Sequence, residues 1–586
     1  MPVTVTLIAN CDDAVVFWRI DAHIPNCWGF AVEREQKLSG GTIQRSTLDN
    51  RMGFEADHPK QGEHRPSTVW PFQRFWWADY DANLGDTVRY RVTPMVQVSG
   101  KLQQLISESS DWTPWATLSA GKVDGFSSYF NRGMVISQFM ARYLEELRIK
   151  KNLATRKEAL AVFKASLSDH ELPIRRFLAG ALGVRIRELL ADAKKGRHHV
   201  FAALYELEDQ ELLDGLKALG AKAHVVLANG SITPRTGETA AEARKRDQNA
   251  EARAQLTAAK VEVCDRFISP GALGHNKFLV VTDQQQKPQA AWTGSTNWTP
   301  TGLCTQINNG LFISNGNMAA EYLKQWNRLK DAGSAFPPTL ADDNSQPKIL
   351  KQGKSETTLW FTRTRKSVDL AALDDVLNGA KDGILFLMFQ PGGSATLGTV
   401  RQIQKNKPSL YIKGVVSTLP AAAATDESAV SVEILGPTPK ASVDLDIVQP
   451  QGIRTPFASW AATVTRDEFL LPPMGGGVIG FAIVHSKLIV VDPFTNPIVV
   501  TGSHNFSKSA SEKNDENFVI VRGNQELARQ YSAHILSVYH HYRWLAFVND
   551  LQQKDQSPKG YLKEHDRWQD AELKGKGKRE LDFWVR

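Results

Sequence analysis

Cysteine is scarce in this chain. Four residues in 586, Cys11, Cys27, Cys264 and Cys304, are too few and too scattered for a disulfide framework or a zinc site, so buried free thiols and a reducing compartment are expected. Long apolar runs are missing too: nothing approaches the roughly 18 residues of a membrane-spanning helix. The opening MPVTVTLIAN has no basic segment ahead of an apolar one. No secretory leader is therefore expected, and the cytoplasm is the expected compartment, a specialised export route aside. Charge of one sign is in small surplus only, a formal +7, which suits an anionic partner such as a phosphate ester, nucleic acid or an acidic membrane surface. What is present is ordinary for a globular protein: 42% hydrophobic and 23% charged residues. At roughly 100–200 residues per domain, the length predicts about three to five units.

Three regions follow one another. Residues 1–120 read as strands: VTVTLIA, AVVFWRI, GFAVERE and TVRYRVTPM are β-rich runs broken by turn signals, and helical periodicity is absent. This predicts a β-sandwich. The stretch GDTVRYRVTP, with Tyr90, resembles the tyrosine-bearing strand of a fibronectin type III domain. Trp18, Trp76 and Trp77 are either sandwich core or an aromatic platform for a ligand, and core is the simpler expectation. In 121–340, amphipathic helices alternate with apolar strand-like runs (HVFAALYEL, AHVVLANG, VEVCDRF, HNKFLVVTD, AAWTGSTNW), with a polar stretch at 236–259. The order repeats in 341–586, where ILFLMFQ, LYIKGVVST, HSKLIVVD and IVVTGSHNF are the strands and ELARQYSAHILSVYHHYRWLAFV is a long helix. The fold class expected is α/β: two duplicated lobes, each a mixed sheet flanked by helices, behind an N-terminal all-β sandwich domain. Strand–helix alternation favours parallel neighbours in those sheets. The tail KGKGKRELDFWVR is basic and reads as a flexible, solvated end.

The informative feature is a motif that occurs twice. GHNKFLVVTDQQQKPQAAWTGSTNWT (274–299) and VHSKLIVVDPFTNPIVVTGSHNFS (484–507) each open with His-x-Lys on a β-branched strand. Each then has an Asp just past that strand, and a second strand ending in Thr-Gly-Ser-x-Asn. A single H-x-K is usually a hydrogen-bonded strand edge; two copies with the same downstream Gly-Ser-x-Asn are not explained that way. Residues i and i+2 of a strand share a face, so His275 projects with Lys277 and His485 with Lys487. Packed about a pseudo-twofold, the halves bring two imidazoles and two ammoniums together. Lysines neutralise non-bridging phosphate oxygens and the charge of a pentacoordinate transition state. One imidazole can attack phosphorus while the other protonates the leaving oxygen and later activates water or an alcohol. Asn297 and Asn505 are expected to bind phosphate, with Ser295 and Ser503 either assisting or shaping the turn. No metal and no cofactor are required, and H-x-K is poor ligand spacing.

These motifs resemble the paired H-x-K-x4-D signatures of the phospholipase D superfamily, over roughly residues 121–550. The resemblance implies two α/β lobes sharing one metal-free active site and a covalent phosphohistidine. It gives Asp283 and Asp492 a structural role. The second copy matches in full; in the first, Thr282 holds the position of the Asp and Asp283 follows it, which points to a local bulge. In NDENFVIV, Glu516 matches the acid that orients a catalytic histidine in relatives, whereas the first half has INNGLFI, with Asn308 and Asn309. Pairing each acid or amide with the histidine of its own half makes His485, beside Glu516, the protonated general acid. It makes His275, among amides, the nucleophile. The substrate stays open between a phospholipid head group, hydrolysed or transferred, and nucleic acid. A cardiolipin-type synthase, disfavoured by the lack of membrane helices, and an inactive binding protein on the same scaffold are further alternatives. Peripheral membrane contact suits the lipid reading, and a duplicated chain needs no second copy, so a monomer is expected.

Overall fold

The structure is a computed structural model. It describes residues 1–586 apart from 1–2, 39, 61–62, 80, 134–138, 231–241, 243–244, 269–271, 390, 392–395, 418–433, 436–445, 449–483 and 554–560. Part of the polar stretch 236–259 therefore lies outside the described residues; its end forms the helix Ala250–Ala258. The chain divides into two compact units, residues 1–120 with 551–586, and residues 121–550.

In the first unit, alternating apolar residues build two antiparallel sheets. One joins Thr4–Ala9, Ala14–Arg19 and Trp76–Ala78. The other centres on the long strands Cys27–Lys37 and Thr87–Val98. Val16, Trp18, Phe30, Phe72, Phe75 and Val92 fill one core between them. Trp18 is fully buried there, while Trp76 and Trp77 are half-buried beside the Arg74 guanidinium at 5.2 and 5.5 Å. The Tyr90 hydroxyl donates to Asp79 at 2.7 Å, and Arg34 pairs with the same carboxylate at 3.0 Å. The tail is not a loose end. Gly575–Trp584 is a helix whose Trp584 ring stacks on Phe17 at 4.7 Å, with Leu581 in the core. Residues 551–586 thus belong with the β-rich unit, not with the second lobe, because Leu581, Phe583 and Trp584 are buried despite the surrounding Lys and Gly.

The second unit holds the duplication. Its first sheet runs Phe126–Phe130, Asn309–Ile313, Pro288–Gly294, Lys277–Thr282, Val200–Leu204, Ala223–Ala228 and Glu262–Arg266. Its second repeats that order as Ser355–Phe361, Asn517–Arg522, Ile498–Gly502, Leu488–Val491, Gly383–Met388 and Tyr411–Val416, with short strands beyond each edge. Both sheets are mixed. Strands joined through a crossover helix pair in parallel, as Val200–Leu204 does with Ala223–Ala228. The strands bearing the motifs are joined by hairpins and pair antiparallel, so the expected parallel majority does not hold. Helices cover the faces. Trp326 of Gly316–Ala332 donates its indole N–H to the Ala202 carbonyl at 2.9 Å. Leu370, Leu373 and Leu377 of Val368–Asn378 pack with Ile384, Phe386, Ile489 and Phe518, each contributing about 1.5–3 kcal/mol by burial. Among the described residues, no helix is long and apolar enough to cross a membrane. Cys11, Cys27 and Cys304 are buried free thiols as expected; Cys264 is only half-buried.

Candidate active site

The two lobes meet through hydrogen bonds that obey the internal twofold. The Thr of each Thr-Gly-Ser reaches across to the other lobe: Thr293 Oγ donates to Asn517 Oδ1 at 2.6 Å, and Asn309 Nδ2 donates to Thr501 Oγ at 2.7 Å. Backbones cross as well, His485 N–H to the Ile307 carbonyl at 3.0 Å and Asp515 N–H to that of Leu273 at 2.8 Å. The glycine between Thr and Ser is required by contact. A Cβ at Gly294 would lie 2.3 Å from the Asn309 carbonyl oxygen, and one at Gly502 would lie 2.2 Å from that of Asn517.

His275, Lys277, His485 and Lys487 come together at this junction, all buried. The imidazole centroids are 6.5 Å apart at 76°. Each ammonium folds back on its own motif: Lys277 Nζ donates to the His275 carbonyl at 2.9 Å and Lys487 Nζ to the His485 carbonyl at 2.6 Å. Each half also supplies one ring as a wall. Tyr205 lies 4.8 Å from the His275 ring and 4.8 Å from Lys277 Nζ; Phe389 lies 4.9 Å from His485 and 4.8 Å from Lys487 Nζ.

The orienting groups are exchanged between the halves, which corrects the sequence expectation. Glu516 Oε1 lies 3.2 Å from His275 Nδ1, not at His485. Asn308 Oδ1 lies 3.0 Å from His485 Nδ1, and Asn309 serves the lobe junction instead. The exchange follows from the twofold, which sets the strand carrying each orienting residue against the opposite lobe. Asn308 is itself fixed, its Nδ2 donating to the Gly302 carbonyl at 2.8 Å and its Oδ1 accepting from Ser295 Oγ at 2.7 Å. That orientation puts the His485 proton on Nδ1 and the lone pair on Nε2. Asn131 Oδ1 and Thr362 Oγ, equivalent by register, accept the backbone N–H of Asn308 and Glu516, each at 2.8 Å.

The remaining candidates divide. Asn297 spends a side-chain N–H on Glu206 Oε2 at 2.5 Å, while its Oδ1 and that of Asn505 are buried without a hydrogen-bond partner. Asn505 gives its backbone N–H to Glu516 Oε2 at 3.0 Å. Ser295 and Ser503 accept the backbone N–H of Asn309 and Asn517, each at 3.1 Å. Both serines are thereby tied to the neighbouring strand, the turn-shaping alternative of the two that the sequence left open. Asp492 caps the start of Gly383–Met388, accepting N–H bonds from Lys381, Asp382 and Gly383 at 2.9, 2.7 and 2.9 Å. Thr282 fills the equivalent place, its N–H bound to the His199 carbonyl as that of Asp492 is to Gly383, and the ladder bulges there. Asp283 holds only its own hairpin, accepting from Gln285 and Lys287 N–H. Asp492→Ala is accordingly expected to destabilise the second lobe by about 1–3 kcal/mol through orphaned amides, read as a lower urea midpoint at unchanged slope. Asp283→Ala is expected to move that midpoint far less.

Burial governs the charges. It pushes the His275 imidazole down to about 4, Lys277 adding to the drop and Glu516 opposing it. Burial, with Lys487 and Lys277, takes His485 well below its ordinary value. Both lysines are lowered by burial, with Glu516 pulling the other way on each and Glu206 also on Lys277. Burial would lift Glu516, but the His275 imidazole and the Asn514 amide outweigh it and hold the carboxyl at about 2. At neutral pH the resting site therefore contains two neutral imidazoles and an ionised Glu516. Among the described residues, no group of three or more His, Cys, Asp or Glu side chains is placed to hold a metal ion.

Sequence reasoning missed Tyr205, Phe389 and Glu206, although Tyr-Glu and Phe-Gln end equivalent apolar runs and could have been aligned. It also missed a buried histidine–carboxylate contact and a buried ion pair. His504, inside the second Gly-Ser-x-Asn, accepts the Phe506 N–H on Nδ1 and faces Asp369 through Nε2 at 3.2 Å. Arg266 grips Asp515 with two N–H bonds at 2.7 and 3.2 Å.

A family model described as cardiolipin synthase, phospholipase D-like domain, matches residues 186–330 and 415–539. No curated protein matches the chain by sequence. Solved structures similar to it include a phosphatidylserine synthase from Haemophilus influenzae, 12% identical over 62% of this chain and 85% of that one, TM-score 0.40. Another is Nuc from Salmonella typhimurium, a phospholipase D family member, 16% identical over 32% and 95%, TM-score 0.20. A third is polyphosphate kinase from Porphyromonas gingivalis, 12% identical over 67% of this chain, TM-score 0.38, of which the chain spans about half the length, 53%.

Proposed function

The chain belongs to the phospholipase D superfamily, whose members act on phosphodiesters, and from that premise we propose that it cleaves a phosphodiester without metal through a phosphohistidine on His275. The observation that carries this is the convergence of both H-x-K pairs, with a carboxylate behind one imidazole and an amide behind the other.

His275 Nε2 attacks phosphorus while its Nδ1–H faces Glu516. Attack turns a neutral ring into a cationic phosphoimidazolium, so the carboxylate stabilises charge that appears during the reaction. Behind the acid, it would stabilise charge that disappears, which does not lower the barrier. This reverses the argument from sequence, which placed Glu516 behind His485, yet keeps His275 as nucleophile. His485, neutral at rest, first takes a solvent proton on Nε2 as the anionic substrate binds, gives that proton to the leaving oxygen, and then takes one on the same nitrogen from the incoming water or alcohol. A proton on a ring backed only by a neutral amide is readily given up. Lys277 and Lys487 hold the non-bridging oxygens; Tyr205 and Phe389 exclude water, which strengthens every charge interaction inside.

The substrate we favour is a phospholipid head-group ester, in line with the family model's description. Nucleic acid is the second reading, favoured by the +7 surplus. Pure protein in EDTA, given mixed phospholipid vesicles and DNA in parallel, is expected to release head group and leave DNA intact. His275→Ala and His485→Ala proteins are expected to release no head group and to leave DNA intact as well. DNA cleavage with the same dependence on both histidines would replace the lipid reading by the nuclease one. Turnover that needs metal or survives both substitutions would end the phosphohistidine mechanism. A primary alcohol added to the vesicles tests transfer against hydrolysis.

A further inference from the structure

Besides Glu516, a second buried acid has no acidic counterpart in the sequence of the other half. Glu206 follows Tyr205, the ring that packs on both His275 and Lys277, and is 1% exposed. Its Oε2 takes an N–H of Asn297 at 2.5 Å, and its backbone carbonyl accepts the Trp298 N–H at 3.2 Å. Register fixes its counterpart. Leu204 pairs with Lys277 as the strand ending at Met388 runs beside that of Lys487, so Phe389 matches Tyr205; in the sequence Tyr205 is followed by an acid, Glu206, and Phe389 by a neutral glutamine that lies outside the described residues. Neither the H-x-K chemistry nor the orientation of either histidine uses Glu206.

Its charge does have a use when substrate and product are compared. A phosphodiester is a monoanion. Hydrolysis of the phosphohistidine forms a bond from water oxygen to phosphorus as the P–Nε2 bond breaks. One water proton passes to His485, and the phosphomonoester released gives up its other acidic proton near a pKa of about 6, becoming a dianion. The lysines that bind the substrate therefore bind the product harder, unless a fixed negative charge offsets them. Glu206 supplies one. It stands within electrostatic reach of Lys277 and holds the donor end of Asn297, leaving the bare Oδ1 of that amide buried and without a partner. An unopposed lone pair also disfavours added negative charge.

We propose that Glu206 is a charge-selecting residue: its buried carboxylate tunes the phosphoryl site to hold a phosphodiester monoanion and to release the phosphomonoester dianion. The inference rests on the phosphodiesterase reading above. Its test needs no knowledge of the natural substrate. Calorimetry at pH 8 measures binding of inorganic phosphate, mostly dianionic there, and of dimethyl phosphate, a monoanion, to four proteins: the native chain, Glu206→Gln, Glu206→Asp and the Lys277→Ala/Lys487→Ala double variant. Glu206→Gln is expected to tighten phosphate at least about tenfold more than dimethyl phosphate, and Glu206→Asp to restore the native preference. If the double variant loses both anions but Glu206→Gln shifts both equally or neither, the role of Glu206 is overturned while the phosphodiesterase reading stands. If neither anion binds the native protein, or both bind the double variant undiminished, both are overturned.

Discussion

His275→Ala protein is expected to form no covalent phosphoenzyme, whereas His485→Ala protein accumulates one on His275 when the leaving group is a good one. The asymmetry follows from the two rings' surroundings. His275 is the ring with a carboxylate at 3.2 Å, where a phosphoimidazolium can be held. Its removal eliminates the nucleophile, and turnover should fall at least about 10⁴-fold for any substrate. His485 only moves protons. An activated diester such as a 4-nitrophenyl ester leaves without help, so His275 is still phosphorylated, but no base then activates the water that would discharge it. Acid-labile phosphate on the peptide containing His275, in the His485→Ala protein and not in the His275→Ala protein, is the expected result. Phosphate on His485 in the converse variant would exchange the two roles and put Glu516 behind the acid. Glu516→Gln keeps the shape and removes the charge, so it should slow phosphorylation of His275 more than it weakens binding, appearing in kcat rather than KM.

That reversal shows where the sequence stopped being legible. The duplication, the four side chains of the two H-x-K pairs and the strands carrying them follow from periodicity and from one repeated string, because i and i+2 alternation is local. Asn308 and Glu516 were equally visible as unlike residues at equivalent positions. Which histidine each one serves depends on how the lobes pack, and the twofold sets each against the other half's motif. Ser295 and Ser503 stayed open in the sequence for a related reason. Whether a serine in a Gly-Ser-x-Asn turn assists substrate or shapes the turn depends on the neighbouring strand, which meets each hydroxyl through Asn309 or Asn517 N–H. The tail misled by composition: Lys and Gly dominate KGKGKRELDFWVR, but Leu581, Phe583 and Trp584 are spaced to bury one side of a helix. Glu206 carried no motif at all, and only the register of two separate sheets aligns Tyr205 with Phe389 and so shows that the acid after the first ring has no acidic counterpart in the sequence after the second.

Asp515→Ala is expected to destabilise the two-lobe unit by about 3–5 kcal/mol and to impair catalysis without touching a catalytic group. Arg266 and Asp515 are 1% exposed each, and removing one partner strands the other charge where water cannot reach it. Arg266 ends the strand Glu262–Arg266 of the first lobe, where it also donates to the Ala335 carbonyl at 2.6 Å; Asp515 immediately precedes Glu516 of the second. The same segment is strapped by Asn514, whose Oδ1 accepts the Leu273 N–H at 3.0 Å and whose Nδ2 donates to Glu516 Oε1 at 2.9 Å. The ion pair therefore holds the carboxylate that holds His275, and a shift there of even 1 Å can cost about 10²-fold in rate. The two effects separate in a second variant. Arg266→Met with Asp515→Leu replaces the pair by apolar groups of similar volume, an exchange that is often neutral for stability or better, but it removes the directional bonds that anchor the residue beside Glu516 and leaves Asn514 to hold the carboxylate. Urea unfolding of that double variant is expected to show a midpoint near native, with kcat still reduced and KM little changed. If stability and kcat recover together, the pair is a structural cross-link only; if kcat stays low in a stable protein, the pair positions the catalytic carboxylate across the lobe boundary.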